Sequence, residues 1–410
     1  MAWDTGNKTR VLVLLCLAQF AAMLIWYNFA AVIPVLKEAW RLTNDQTGTI
    51  LGAFQFGYVA AVLFTGWLTD RIGGRLTFAL SAVETGLAGL GFVFFAHDYT
   101  SALLWRTLAG FGQGGLYVPG MQLLCRWYPG RERGRVIGIY TCSTVAAYAG
   151  AYFVASPLAS LFSWQAALLA TSVWAFPAAA LVWFRVSEPP VTTMITRVDK
   201  TPSSRLPLKS NQAAWLIIGG YAGHMWELYA FWGWIGAFFS YALTMKGFDA
   251  NSALAFGGVI AAACTGMGGI SPGLAGWLSD RIGRSITAAV AMLVSGACAL
   301  AFGWLAAAPM WLFTVIGLVY GFFIVADSAI FKAGLTELVP ENGLGLALGF
   351  QSVIGYSMTV ITPKLFGILL DGYGWGIAFA SLAAGPFIGA VCMLSLRSLP
   401  ASRAMAGGRR

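Results

Sequence analysis

Gly66-Trp67-Leu68-Thr69-Asp70-Arg71-Ile72-Gly73-Gly74-Arg75 returns as Gly276-Trp277-Leu278-Ser279-Asp280-Arg281-Ile282-Gly283-Arg284-Ser285. The offset, 276 less 66, is about half the chain. Each copy closes one apolar stretch and opens the next. Self-similarity at one long period sets an architecture before any single motif does. Here it points to a duplicated membrane bundle.

Composition agrees. Hydrophobic residues make up 58% of the chain and charged residues 10%, against about 25% charged in soluble domains. A crossing of the hydrocarbon core needs about 20 apolar residues. Twelve stretches qualify: 11–36, 47–69, 76–96, 101–126, 134–158, 163–185, 213–242, 251–279, 286–306, 309–335, 343–370 and 375–396. The reading is an all-α integral membrane protein with twelve transmembrane helices in two pseudo-symmetric six-helix halves. The first stretch reads as a span like those that follow it, not as a cleaved leader.

Lys and Arg orient the bundle. All but Lys37, Arg41, Arg106, Lys246, Lys332 and Lys364 of the 25 basic residues fall on the side of the N-terminus. This bias places both termini in the cytoplasm, and a bacterial inner membrane is the expected location. The net charge of +9 is thereby explained by topology, and a nucleic-acid partner is not expected. The six cysteines lie in or beside apolar stretches without CxxC spacing, so neither a disulfide framework nor a metal site is expected. Residues 187–212 mix proline, serine, threonine and basic residues as linkers do. The chain divides into 1–186, a cytoplasmic linker 187–212, and 213–410. Gly138 with Gly349, and Trp164 with Trp375, extend the repeat.

On these residues the chain resembles the major facilitator superfamily. Gly66, Leu68, Asp70, Arg71, Gly73 and Arg75 match that family's motif between helices two and three. Gly276, Leu278, Asp280, Arg281, Gly283 and Arg284 match it again. Gly74 and Ser285 depart from its basic positions. Arg106 with Gly110, Gly112 and Gly114 resembles the family's helix-four motif. The resemblance implies alternating access and a gradient-coupled transporter, with helices one, four, seven and ten lining the cavity. The helix-five drug-antiporter signature is absent at 148–157. The paired arginines of nitrate carriers are absent from helices two and eight.

Asp70, Arg71, Arg75, Asp280, Arg281 and Arg284 are expected to latch the cytoplasmic side and gate it, with helix-end charges facing helix dipoles. A tight turn anchored by charge is the plain alternative.

Ionisable groups inside a bilayer cost about 2.5–3.5 kcal/mol each on insertion scales and mark function. Arg106, Gln113 and Tyr117 share one helical stripe and suit a planar anion. Arg106 fits direct binding, coupling, or snorkelling to water. Trp26, Asn28 and Tyr148 are further candidate substrate contacts. His224, Glu227 and Asp327 are the candidate proton carriers. Glu84, on helix three, reads as structural.

The leading expectation is a proton-coupled symporter for a small organic anion, acting as a monomer and without a cofactor. An efflux carrier for amphipathic or cationic compounds is the alternative. A receptor on a transporter fold is a remote one. No nucleotide loop or nucleophile motif suggests an enzyme.

Overall fold

The computed structural model describes residues 5–128, 130–187 and 208–410. Most of the expected linker, with Arg197, Lys200 and Arg205, lies outside the described residues. The described residues are helical almost throughout, and no strand occurs among them.

Eight helices, or nine counting a pair bent near residue 63, are long and apolar enough to cross a membrane on length and composition alone. Twelve crossings follow once three features are resolved. The 56-residue run Gly343–Ser398 holds two crossings. Its backbone leaves the helical region at Gly374, where φ is 78°. Before that point Gly355 faces Tyr221, and just past it Trp375 lies against Tyr241. Beyond it Phe379 packs on Phe238, Gly385 faces Gly223 and Gly389 faces Gly220. The chain therefore runs up alongside Gln212–Thr244 and returns along it. The other two crossings are Tyr99–Gln113 with Tyr117–Trp127, and Gln212–Thr244 itself. Their polar and aromatic side chains lower the hydropathy of helices that are long enough to span.

Spans 1 to 6 are Thr5–Met23 with Ile25–Ala31 and Ile33–Trp40; Asn44–Ile72; Gly74–Phe95; Tyr99–Gln113 with Tyr117–Trp127; Gly130–Leu161; and Trp164–Ser172 with Ala175–Arg185. Spans 7 to 10 are Gln212–Thr244, Ala250–Met267 with Ser271–Ile282, Arg284–Phe302, and Met310–Ala326 with Ser328–Leu338. Spans 11 and 12 share Glu341–Leu382, and Ala384–Ser398 completes the twelfth.

The duplication is visible in the backbone. Spans 2 and 3 join at Gly73 (φ 86°, ψ 157°), and spans 8 and 9 join at Gly283 (φ 106°, ψ 146°). Only glycine adopts that region freely, which accounts for its presence in both copies. Spans 4 and 10 are both broken near mid-membrane, at Gly114–Leu116 and at Asp327. Asp98 and Asp249 cap spans 4 and 8 at the opposite end. Hydrogen bonds from Ser101 and Ser252 hold their carboxyls below the usual range.

The halves meet along span 2 with span 11 and along span 5 with span 8. Near the end opposite the repeated loops the fit is backbone to backbone. A Cβ at Gly48 would overlap the Pro363 carbonyl, and one at Gly367 the Asn44 carbonyl. Asp371 accepts from the Asn44 and Asp45 amides at 3.1 and 2.9 Å. Ser156 of span 5 lies where a Cβ of Gly258 on span 8 would fall. Toward the loop end the same four spans carry glycines with open space. Gly66 and Gly349 have nothing within 4 Å of a Cβ position, and neither do Gly138 and Gly276. The described state is closed at the end away from the repeated loops.

Candidate functional site

Span 1 cannot run as one straight helix. Val32 leaves helical geometry and Pro34 opens the next segment. Without a Pro amide the preceding carbonyls need other donors. The Ser156 hydroxyl donates to the Ala31 carbonyl at 2.9 Å. One turn earlier span 4 does the same work. Arg106 Nη1 donates to the Ile25 carbonyl at 3.1 Å and to Asn28 Oδ1 at 3.3 Å, and Nη2 to the Trp26 carbonyl at 3.0 Å. Gln113 Nε2 donates to the Ala22 carbonyl at 2.7 Å. Asn28 in turn donates to Thr171 at 3.0 Å. Arg106 is 3% exposed, with its guanidinium 4.3 Å from the Phe54 ring centroid. Arg106, Gln113 and Asn28 are thus brought together, inside the N-terminal bundle. Tyr117 is separated from them by the break at Gly114–Leu116 and bonds to Thr141 at 2.8 Å.

This clamp presents Trp26 and Tyr27 to the seam between the halves. There they join an aromatic cluster. Trp26 lies 4.9 Å from Tyr58, 5.3 Å from Tyr148 and 6.3 Å from Tyr229. Tyr148 lies 5.4 Å from Trp232, and Tyr58 lies 5.1 Å from Tyr356. The rings come from spans 1, 2 and 5 of one half and spans 7 and 11 of the other. Two of the residues read from the sequence, Trp26 and Tyr148, stand in this cluster. Tyr356 of span 11 was missed, because one tyrosine in an apolar run carries no distinguishing signal.

The acid and imidazole groups gather in the C-terminal bundle. His224 Nδ1 of span 7 lies 2.8 Å from Asp327 Oδ1 of span 10, with the two side chains 2% and 3% exposed. Tyr221 and Phe331 flank the imidazole at 6.0 and 5.8 Å. Glu227 does not join this pair. It accepts from the Ser295 hydroxyl of span 9 at 2.9 Å, and Tyr320 of span 10 is its other polar neighbour. Sequence spacing puts His224 and Glu227 on one side of span 7, and the fold gives them separate partners. Ser295 was not singled out, since a serine in an apolar span more often bonds its own helix. Glu84 lies beside Gly112 of span 4.

At the repeated loops the two copies differ. In the first, Arg71 stacks on Trp67 at 4.2 Å and Arg75 on Trp183 at 5.0 Å, while Asp70 is exposed. In the second, Arg281 stacks on Trp277 at 3.7 Å. Arg284 forks onto Glu337 of span 10, both bonds at 2.7 Å, and reaches Asp280 at 3.1 Å. Glu337 also accepts from the Ala406 amide at 3.2 Å, and Arg409 donates to the Asp280 carbonyl. The partner acid on span 10 was missed; an acidic residue at a helix end has many ordinary roles.

Two six-span bundles, related by duplication and meeting around buried polar and aromatic groups, define a membrane carrier of solutes. The sequence profile of the Major Facilitator Superfamily matches residues 15–272 and 258–408, and the chain belongs to that superfamily. A hexuronate transporter of Bacillus subtilis is 25% identical, over 93% of this chain and 95% of that protein. A D-galactonate transporter of Escherichia coli is 23% identical over 90% of each. A probable sulfoacetate transporter of Cupriavidus necator is 25% identical over 96% and 95%. Among solved structures, a bacterial homolog of the human lysosomal transporter Spinster superposes with a TM-score of 0.73. It shares 15% identity over 98% of both chains, a likeness of fold. The family and these relatives are transporters, and the chain is a solute transporter rather than an enzyme.

Proposed function

We propose that this transporter carries a small organic acid across a bacterial inner membrane by alternating access, with its termini in the cytoplasm, in symport with protons. The observation that carries the reading is the buried His224–Asp327 contact at 2.8 Å. Two ionisable groups from two spans meet there out of water, with Glu227 one helical turn from the histidine. Buried charge is costly in a bilayer, so the pair has a reason to gain or lose a proton when the halves rearrange around it. The acid class draws on the relatives, whose names specify hexuronate, D-galactonate and sulfoacetate.

Trp26, Tyr148 and Tyr117 serve as contacts of the solute within the seam. Arg106, Gln113 and Asn28 fix the bend of span 1, and touch the solute directly only if their bonds to span 1 open. The loop charges around Asp70, Arg71, Arg75, Asp280, Arg281 and Arg284 gate the cytoplasmic side. A single chain suffices for this cycle.

The test is uptake of labelled D-galactonate and D-glucuronate into liposomes holding the purified protein. An inward proton gradient is expected to drive accumulation above equilibrium. Equilibration alone, at the same final level with and without the gradient, would remove the symport reading.

A further inference from the structure

We propose that Lys332 on span 10 is the cation that binds the acid group of the transported solute. This rests on the organic-acid reading above. An acid entering a chamber between two membrane bundles requires a positive charge there, since a desolvated anion needs a paired, hydrogen-bonded partner. Four other basic side chains in or beside the spans are engaged elsewhere. Arg106 is held by the Ile25 and Trp26 carbonyls. Lys364 leans toward Asp45 at 3.9 Å, at the closed end. Lys37 donates to Asn44 at the same end, and Lys246 to the Ala307 carbonyl at 3.3 Å.

Lys332 is exposed, and the packing of its helix fixes where it points. On Ser328–Leu338, Phe331 meets Tyr221 and His224 of span 7. Gly334 faces Ile217 of span 7. Glu337 reaches Arg284 at the start of span 9. Gln351 of span 11 donates to the Phe331 carbonyl. Ala329, Lys332 and Thr336 recur at helical spacing on the remaining, exposed face. That face looks away from span 7. Segment 271–282 of span 8 and span 11 both contact this helix. Those same two spans carry the most extensive contacts with the N-terminal half, on spans 5 and 2. A face flanked by them and turned from span 7 looks across the chamber toward the other half. Among the described residues Lys332 has no carboxylate within ion-pair distance. Asp327 and Glu337, each five residues away along span 10, already face His224 and Arg284. The position is five residues, about 7.5 Å of helical rise, toward the loop end from that pair. A bound acid would thus lie on the open side of the proton-carrying groups.

The test titrates purified protein with D-galactonate and follows its melting temperature, with galactitol, the uncharged polyol of the same carbon number, in parallel. Wild type is expected to be stabilised by the acid and not by the polyol. Lys332→Arg should keep the response. Lys332→Gln should need at least about tenfold more acid for the same shift while melting, without ligand, where wild type does. If Lys332→Gln does not fold, Lys332→Cys replaces it. Coupling an aminoethyl group to that thiol restores an ammonium and should restore the acid response, with treated wild type as control. A Lys332→Gln curve that coincides with wild type, or an unmodified Lys332→Cys that responds fully, would overturn the assignment and leave the organic-acid reading standing. Absence of any response in wild type to D-galactonate, D-glucuronate and 3-phosphoglycerate would overturn both.

Discussion

Arg106 shows what a buried charge does when no acid faces it. Its fork satisfies two backbone carbonyls and an amide oxygen of span 1 at once, which only a planar, multiply donating cation can do. Arg106→Ala should lower stability by about 1–3 kcal/mol through the unsatisfied groups it leaves. Arg106→Lys should recover part of the loss, because one ammonium replaces two fixed donors. Melting curves in detergent check both, and an Arg106→Ala protein as stable as wild type would contradict the clamp. The sequence made Arg106 conspicuous, because an arginine inside an apolar stretch demands a partner. It did not reveal the partner. The accepting carbonyls belong to the bend that Val32 and Pro34 impose some eighty positions earlier, and backbone acceptors leave no trace in side-chain identity. The same limit applied to Glu227. Its burial was legible from hydropathy, whereas its bond to Ser295 depends on how spans 7 and 9 lie against each other.

At the scale of elements, the glycines divide by end. Those of span 2 near residue 48 and span 11 near residue 367 are pressed against the opposite backbone. Gly66, Gly138, Gly276 and Gly349, on spans 2, 5, 8 and 11 toward the loops, look into open space. A helix face lined by glycine suits close approach to another helix, so these faces are expected to meet when the loop end closes. Gly66→Leu and Gly276→Leu should therefore fold and melt within about 0.5 kcal/mol of wild type, as surface substitutions do. They should also trap the protein open at the loop end. Labelling of single cysteines on the exposed loop-end faces, with and without substrate, reports the trap; substrate-induced protection equal to wild type would contradict it. The helix count and the repeat were readable directly, because hydropathy and duplication are properties of sequence alone. The breaks in spans 1 and 4 were not, since side chains of other spans bond to the carbonyls there, Arg106 and Ser156 at span 1 and Thr65 at Gly114 of span 4. The second loop's contacts predict in turn that Glu337→Gln, which removes the charge from the Arg284 fork, loosens the packing of span 10 against that loop. The expected sign is increased accessibility of a cysteine at Ser279, and unchanged labelling would remove Glu337 from that packing.

For the whole molecule, the two halves perform different tasks. The N-terminal half fixes the bend of span 1 and turns aromatic rings toward the seam. The C-terminal half holds the ionisable pair and, one and a half turns away on span 10, the lysine. Pseudo-symmetry in the backbone has not meant symmetry in chemistry, which is why the repeat specified the architecture and said nothing of solute or coupling. On the proposed function, protons enter the cycle through the His224–Asp327 contact. Liposomes holding wild type, Asp327→Asn or His224→Gln, loaded with unlabelled D-galactonate and given labelled D-galactonate outside, measure this most directly. Exchange needs no net proton movement, whereas uphill accumulation under an imposed pH gradient does. Both variants are expected to retain exchange and lose gradient-driven accumulation. Accumulation by both variants at the wild-type level would show that the protons travel elsewhere.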